Sequence, residues 1–231
     1  MLANLKEQVC RANLRLVTEK LVIQTWGNVS GIDRRGGHVV IKPSGVPYDG
    51  MSAEQMVVVS LESGEVVEGG LKPSSDTPTH LELYRAFQSI GGIVHTHSLY
   101  ATAWAQARRE VPVLGTTHAD YFYGPIPCTP PLTPEQIDGD YEANTGRAIA
   151  ARFEDLDPRH LPGVLVADHG PFAWGTDPDA AVTGAVILEH LARLASETLR
   201  VDPYPRIVCP ELLDKHFLRK HGDGAYYGQN G

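Results

Sequence analysis

The sequence predicts an α/β sandwich in which a mixed, largely antiparallel sheet is covered by helices on both faces. Three observations carry this expectation. Short β-rich runs crowd the first third of the chain, helical periods alternate with strands after that, and Gly and Pro punctuate the boundaries without any long repeat or low-complexity tract. The length of 231 residues fits one core, since cores grow to roughly 250 residues before chains divide. A single domain over residues 1–231 is therefore expected.

Leu2, Leu5, Val9, Ala12 and Leu16 recur at helical spacing with charges between them, so an amphipathic helix opens the chain and ends near Thr18. Across residues 20–67 the pattern changes. LVIQTW, NVSGID, HVVIK and MVVVSL read as strands, the last entered through a short turn at residues 52–55 and followed by EVV across Glu62-Ser63-Gly64. Thr77-Pro78 places a cap residue before a proline at the first helical position, with Leu81, Tyr84 and Phe87 as the apolar side and Gly91-Gly92 as the stop. GIVHTH is then a strand, SLYATAWAQA a helix and IPCT a short strand. Thr133-Pro134-Glu135-Gln136 is a capping box expected to open one long helix through about Phe153. GVLVADH is a strand that turns at Gly170-Pro171 into FAWG, Asp177-Pro178 opens another long helix to about Arg200, and a last helix runs from Pro210 to Gly222.

Composition removes several function classes. Lys and Arg number 20 against 28 Asp and Glu, a net charge of −8, which lacks the basic footprint of a nucleic-acid binder. The uncharged stretch of residues 89–107 holds two histidines, Gln106 and several hydroxyls, too polar for the roughly 20 apolar residues of a membrane span. Lys6, Glu7, Arg11 and Arg15 leave no apolar core for a signal peptide. Cys10, Cys128 and Cys209 are odd in number and widely spaced, supporting neither a disulfide framework nor a thiolate zinc site. A reducing cytoplasm is the expected compartment.

His95-Thr96-His97 lies on a predicted strand, where alternate side chains share a face, so both imidazoles point the same way. The pair alone also reads as two structural or surface histidines. His169, at the end of another predicted strand, could complete a three-histidine face, with Asp76 as a nearby carboxylate or merely the cap of the helix at Thr77-Pro78. Three nitrogens and one oxygen suit Zn²⁺, with Mn²⁺ or Co²⁺ able to occupy the same set. Lys42-Pro43-Ser44-Gly45 and Lys72-Pro73-Ser74-Ser75 form a near-echo, with Gly27-Asn28-Val29-Ser30 adding an amide and a hydroxyl. Such turns are ordinary chain punctuation, yet beside a metal candidate their N–H, hydroxyl and ammonium groups suit a phosphate monoester. Residues 116–124, dense in hydroxyls with His118 and Asp120, read as an active-site loop or as aromatic packing. The basic run at residues 215–221 and the pair Tyr226-Tyr227 are the last candidates along the chain. No dinucleotide fingerprint, Gly-x-Ser-x-Gly or Walker-type loop occurs, which leaves Lewis-acid chemistry on a small phosphorylated molecule.

Taken together and in order, TWGNVSGID, IKPSGV, KPSSDTPTHL, GGIVHTHS, GTTHADYFYG, IPCT, PGVLV, HGPFAWG and LLDKHFLRKHG with AYYGQ resemble the class II aldolase/adducin-head family over essentially the whole chain. The resemblance implies a three-layer α/β/α sandwich with a central, mainly antiparallel sheet, assembled as a homotetramer with sites between subunits. It implies zinc ligands at Asp76, His95, His97 and His169, phosphate contacts at Asn28, Ser44, Gly45, Ser74 and Ser75, and Lys42 near the substrate oxygens. The neighbouring subunit would contribute Thr116, Asp120, His216 and Tyr227.

The implied activity is metal-dependent conversion of L-ribulose 5-phosphate to D-xylulose 5-phosphate by cleavage of C3–C4 and re-addition through the opposite carbonyl face. Asp120 and Tyr227 would be the proton carriers on the two sides of C4. Burial is expected to raise the pKa of the first, and nearby cations to lower that of the second. Two positions bear on this. Ala167 stands where epimerising relatives often carry a histidine, with Asp168 between it and His169. Asp76 stands where aldolases of the family usually have glutamate, which leans toward epimerisation. Two other readings are a sugar-phosphate aldolase of the L-fuculose-phosphate type and a non-catalytic module like the adducin head.

Overall fold

The computed structural model describes residues 2–222 and 224–226. Its strands are β1 (Asn28–Asp33), β2 (His38–Ile41), β3 (Val57–Ser60), β4 (Val66–Glu68), β5 (Gly92–His95), β6 (Gly163–Val166) and β7 (Gly170–Gly175). They form one sheet in the order β4-β3-β2-β1-β5-β7-β6, and every neighbouring pair is antiparallel. The parallel component expected of a mixed sheet is reduced, among the described residues, to an isolated bridge between Cys128 and Leu165. The helices are α1 (Leu2–Thr18), α2 (Thr77–Ala86), α3 (Leu99–Gln106), α4 (Thr116–Ala119), α5 (Pro134–Asp138), α6 (Tyr141–Arg152), α7 (Pro178–Val201) and α8 (Pro210–His221).

Alternation along the strands sorts side chains onto two faces. Val39, Val59, Ile93, Phe172 and Trp174 enter one core with Leu81 and Tyr84 of α2 and Ile149 of α6. Val29, Val94 and Ala173 face the other way, onto Ala12 and Leu16 of α1 and Ala181 and Val182 of α7. Val40 and Val58 continue that second face against Val9 and Cys10. The result is the three-layer α/β/α sandwich.

One buried polar residue joins two layers. β2 ends at Ile41, so the Val29 peptide has no strand partner on that side. Asn13 of α1 supplies it: its Oδ1 accepts from Val29 N at 2.9 Å and its Nδ2 donates to Val29 O at 3.1 Å. Across the sandwich, Glu189 of α7 accepts from Tyr100 N and Ala101 N, both at 2.9 Å, holding the first turn of α3.

Four local expectations are corrected. LVIQTW forms no strand: Leu21 and Val22 are drawn into the α1–α7 core while Lys20 and Gln24 take left-handed φ of 59° and 53°, reversals through which an alternating strand cannot run. The capping box at Thr133 forms, but Gly139 leaves helical geometry at φ −90° and ψ −140°, so the single long helix is two. IPCT makes only isolated bridges. The β6–β7 reversal lies at residues 167–169, where Asp168 adopts φ 63° and His169 N donates to Val166 O, so Gly170-Pro171 already belongs to β7.

Candidate active site

The histidines converge where β5 and β7 meet. His95 ends β5, opposite Phe172, and its Nδ1 lies 3.0 Å from Pro171 O. A carbonyl can only accept, so Nδ1 carries the proton and Nε2 presents its lone pair. That Nε2 is 3.2 Å from Nε2 of His97. The strand stops at His95, so His97 reaches the cluster from the segment beyond β5 rather than from the strand itself. His169 arrives from the β6–β7 turn set by the left-handed Asp168. One nitrogen from each ring lies within 4.8 Å of the others. Burial lowers the pKa of His97, and that of His169 to about 4, keeping both rings neutral with lone pairs available near pH 7.

Asp76 stands beside this cluster in the same cavity. Its side chain makes no capping hydrogen bond; instead Oδ2 accepts from Asn28 Nδ2 at 2.7 Å. Burial alone would push its carboxyl up, but His95, His80, the Asn28 amide and His169 outweigh that and hold it below the usual carboxylate range. Neutral imidazoles with an ionised carboxylate alongside are a donor set that fits a divalent cation.

The two Lys-Pro-Ser segments lie side by side. Ser44 N donates to Lys72 O at 2.9 Å, Ser74 N donates to Lys42 O at 3.0 Å, and Pro43 bridges to Pro73. This pairing accounts for the near-echo and occupies two of the backbone donors that the turns would offer an anion. Exposed Ser44, Gly45 and Ser75 remain on the cavity wall, whereas Ser74 Oγ already accepts from Asn28 Nδ2 at 3.0 Å. Lys42 is only 2% exposed, with Nζ donating to Val46 O at 2.8 Å and to Pro43 O at 3.2 Å. Its burial lowers the ammonium pKa to about 8. Gly27 positions Asn28: with φ 107°, a side chain there would sit 2.7 Å from Val22 Cγ1 and 3.0 Å from His95 O.

Imidazole cluster, Asp76, Lys42 and both turns share one cavity of about 570 Å³, within the range of small-molecule sites. It also takes in Trp26, Tyr141 and Glu142, for which the sequence alone gives no functional signal. Tyr141 Oη lies 3.3 Å from His169 Nδ1. In the middle of one long helix Tyr141 would be unremarkable; the break at Gly139 makes it the first residue of α6 and brings it to the cavity.

Thr116, Asp120 and His216 gather at the α4–α8 corner, outside the lining of that cavity. Asp120 is bound by His216 Nδ1 at 3.0 Å, Arg219 Nη2 at 2.9 Å and Lys220 Nζ at 3.2 Å. The expected upward shift is corrected accordingly. Burial does act in that direction, but these three donors outweigh it and leave Asp120 below the ordinary carboxylate range. Tyr227 lies outside the described residues.

An antiparallel, helix-sandwiched sheet carrying a histidine cluster at the β5–β7 end defines a class, and residues 7–196 match the family described as the class II aldolase and adducin N-terminal domain. The chain belongs to this family. Among solved structures it is similar to an L-fuculose 1-phosphate aldolase at 24% identity, covering 92% of this chain and 94% of that one with a TM-score of 0.78. YgbL from Klebsiella pneumoniae, described as a putative aldolase/epimerase/decarboxylase, is 25% identical over 93% of this chain and 98% of its own, with a TM-score of 0.74. A sugar-phosphate aldolase from Thermotoga maritima shares the fold at 19% identity, 87% and 97% coverage and a TM-score of 0.69.

Proposed function

We propose that this chain is a divalent-metal enzyme acting on a small ketose phosphate, and that its reaction is epimerisation of L-ribulose 5-phosphate at C4 to D-xylulose 5-phosphate. The observation that carries the class is the sharing of one cavity by the three-imidazole cluster and the paired hydroxyl-bearing turns. His95, His97 and His169, with Asp76 as the fourth group, would hold the ion, Zn²⁺ first and Mn²⁺ or Co²⁺ as alternates. Bound there, the ion supplies Lewis acidity to a ketose carbonyl and its neighbouring hydroxyl.

The chain's own residues do the rest. Ser44, Gly45, Ser74 and Ser75 receive the phosphate end, with Asn28, whose amide protons go to Asp76 and Ser74, orienting the Ser74 hydroxyl, and Lys42 offers its remaining N–H to substrate oxygens. Anchoring the phosphate keeps the cleaved fragment in place while its carbonyl turns over. Asp120 and Tyr227 of a neighbouring subunit serve as proton carriers on opposite faces of C4, in a cytoplasmic homotetramer whose sites lie between chains. Each protomer, residues 1–231, acts as one catalytic domain.

Incubation with L-ribulose 5-phosphate, coupled to detection of D-xylulose 5-phosphate, tests the reaction; no product from metal-loaded protein removes it. The description of the Klebsiella relative spans aldolase and epimerase, so cleavage with release is the second reading, and accumulation of free aldehyde would select it. Purified protein without stoichiometric metal would instead point to an interaction module. Mixed oligomers of His97→Asn and Tyr227→Phe chains should regain activity if sites are shared, whereas no recovery in verified mixtures refutes the sharing.

A further inference from the structure

Behind Asp76 runs a second line of polar groups, of which Ser30, His80 and Tyr84 have no part in the proposed reaction. Asn28 and Ser30 are alternate residues of β1 and so share a face, while Asp76, at the N-cap of α2, is followed at every fourth residue by His80 and Tyr84. Asn28 holds Asp76 at 2.7 Å, and one step deeper Ser30 Oγ lies 2.7 Å from His80 Nδ1 and 2.9 Å from Tyr84 Oη. All of the deeper groups are buried, His80 and Ser30 at 0% exposure. Two buried polar atoms of these residues lack a protein partner: Asn28 Oδ1 and His80 Nε2.

The hydroxyl protons decide what His80 presents. If Ser30 donated to Tyr84, the phenolic proton would be left without an acceptor. The assignment that satisfies both hydroxyls has Tyr84 O–H donating to Ser30 Oγ and Ser30 O–H donating to His80 Nδ1. His80 is then fixed as the tautomer with its proton on Nε2, a buried donor without a protein partner, on the residue whose backbone N–H donates to Asp76 O at 3.1 Å.

We propose that His80 is a positioning residue for Asp76, acting through one internal water that accepts from His80 Nε2 and donates to Asn28 Oδ1 and the Asp76 carboxylate. Three partners are what an internal water usually has. The water supports the carboxylate from the side opposite the cavity, so the Tyr84–Ser30–His80 chain sets its orientation toward the imidazole cluster. This consequence for metal rests on the reading of Asp76 as the fourth ligand; the water itself does not.

The test compares wild type, His80→Phe and His80→Gln by high-resolution crystallography and by Co²⁺ titration followed in the visible spectrum. Glutamine keeps an acceptor for Ser30 and a donor for the water, whereas phenylalanine keeps only the bulk. We expect the water in wild type and His80→Gln and its loss in His80→Phe, together with a Co²⁺ affinity about 10-fold weaker and an altered ligand-field band, both restored in His80→Gln. Wild-type density without this water, or unchanged Co²⁺ affinity and spectrum in His80→Phe, overturns the proposal. Should His80→Phe fail to fold, Ser30→Ala releases the tautomer with little change of volume; it should weaken Co²⁺ as well, and an unchanged affinity again overturns the proposal. Wild type that takes up no Co²⁺ would refute the metal reading instead, leaving the crystallographic arm to decide the role of His80.

Discussion

His118 is a buried imidazole whose Nε2–H donates to Gly124 O at 2.9 Å, and burial lowers its pKa from 6.5 to about 4. The unfolded chain therefore binds a proton between those two values while the native state does not. Stability should be constant with respect to this group above pH 6.5 and fall as pH drops through the window, by up to about 3 kcal/mol. Urea midpoints measured from pH 7 to 4 should decline less steeply in His118→Gln than in wild type, and equal slopes would contradict the assignment. Tyr141 makes a different prediction. Its hydroxyl bears on His169 from a helix that supplies no ligand, so Tyr141→Phe should weaken divalent-metal affinity by about 10-fold with a change in unfolding free energy under about 1.5 kcal/mol. Competition against a chromogenic chelator measures the first quantity; unchanged affinity would show that Tyr141 does not orient the ring.

The buried Asn13 side chain stands in for a strand that β2 no longer supplies, so Asn13→Ala should leave the Val29 peptide unpaired. A loss of about 2 kcal/mol is expected, with amide exchange accelerated at Val29 before the rest of β1. Glu189→Gln should cost about 1 kcal/mol in thermal unfolding, because an uncharged amide is a weaker partner for the first N–H groups of α3. Most elements were legible in the chain: the period of α1, the Thr77-Pro78 and Asp177-Pro178 starts, and the continuous β-branched runs of β2 and β3 all state local preferences that the fold keeps. What was not legible lay where tertiary packing overrides a local pattern. Leu21 and Val22 look like strand residues and are buried in the helix layer, while Gly139 interrupts a helix whose flanks both favour continuing.

At the scale of the molecule, part of the candidate site was legible as single residues, but its arrangement was not. His95 and His97 announce themselves by spacing, and the two Lys-Pro-Ser copies by repetition. That the copies pair with each other, and that the Asp120 carboxylate is paired with His216, Arg219 and Lys220 of α8, depend on contacts no local window contains. Divalent metal should raise the unfolding free energy of wild type, by about 2.7 kcal/mol at a hundred times Kd, and leave that of His97→Asn unmoved; calorimetry with and without Co²⁺ checks this through the shift in midpoint. The junction of His95 with Pro171 spans 76 residues and has a temporal meaning. Before β5 and β7 join, the proposed ligand set lacks His169, which is still remote. Closing so distant a pair is a late, slow event, so an ion held by this set would arrive at a structure already made. Metal should then leave the refolding rate unchanged and slow unfolding alone, acting as a latch on the finished sheet rather than as a template for it.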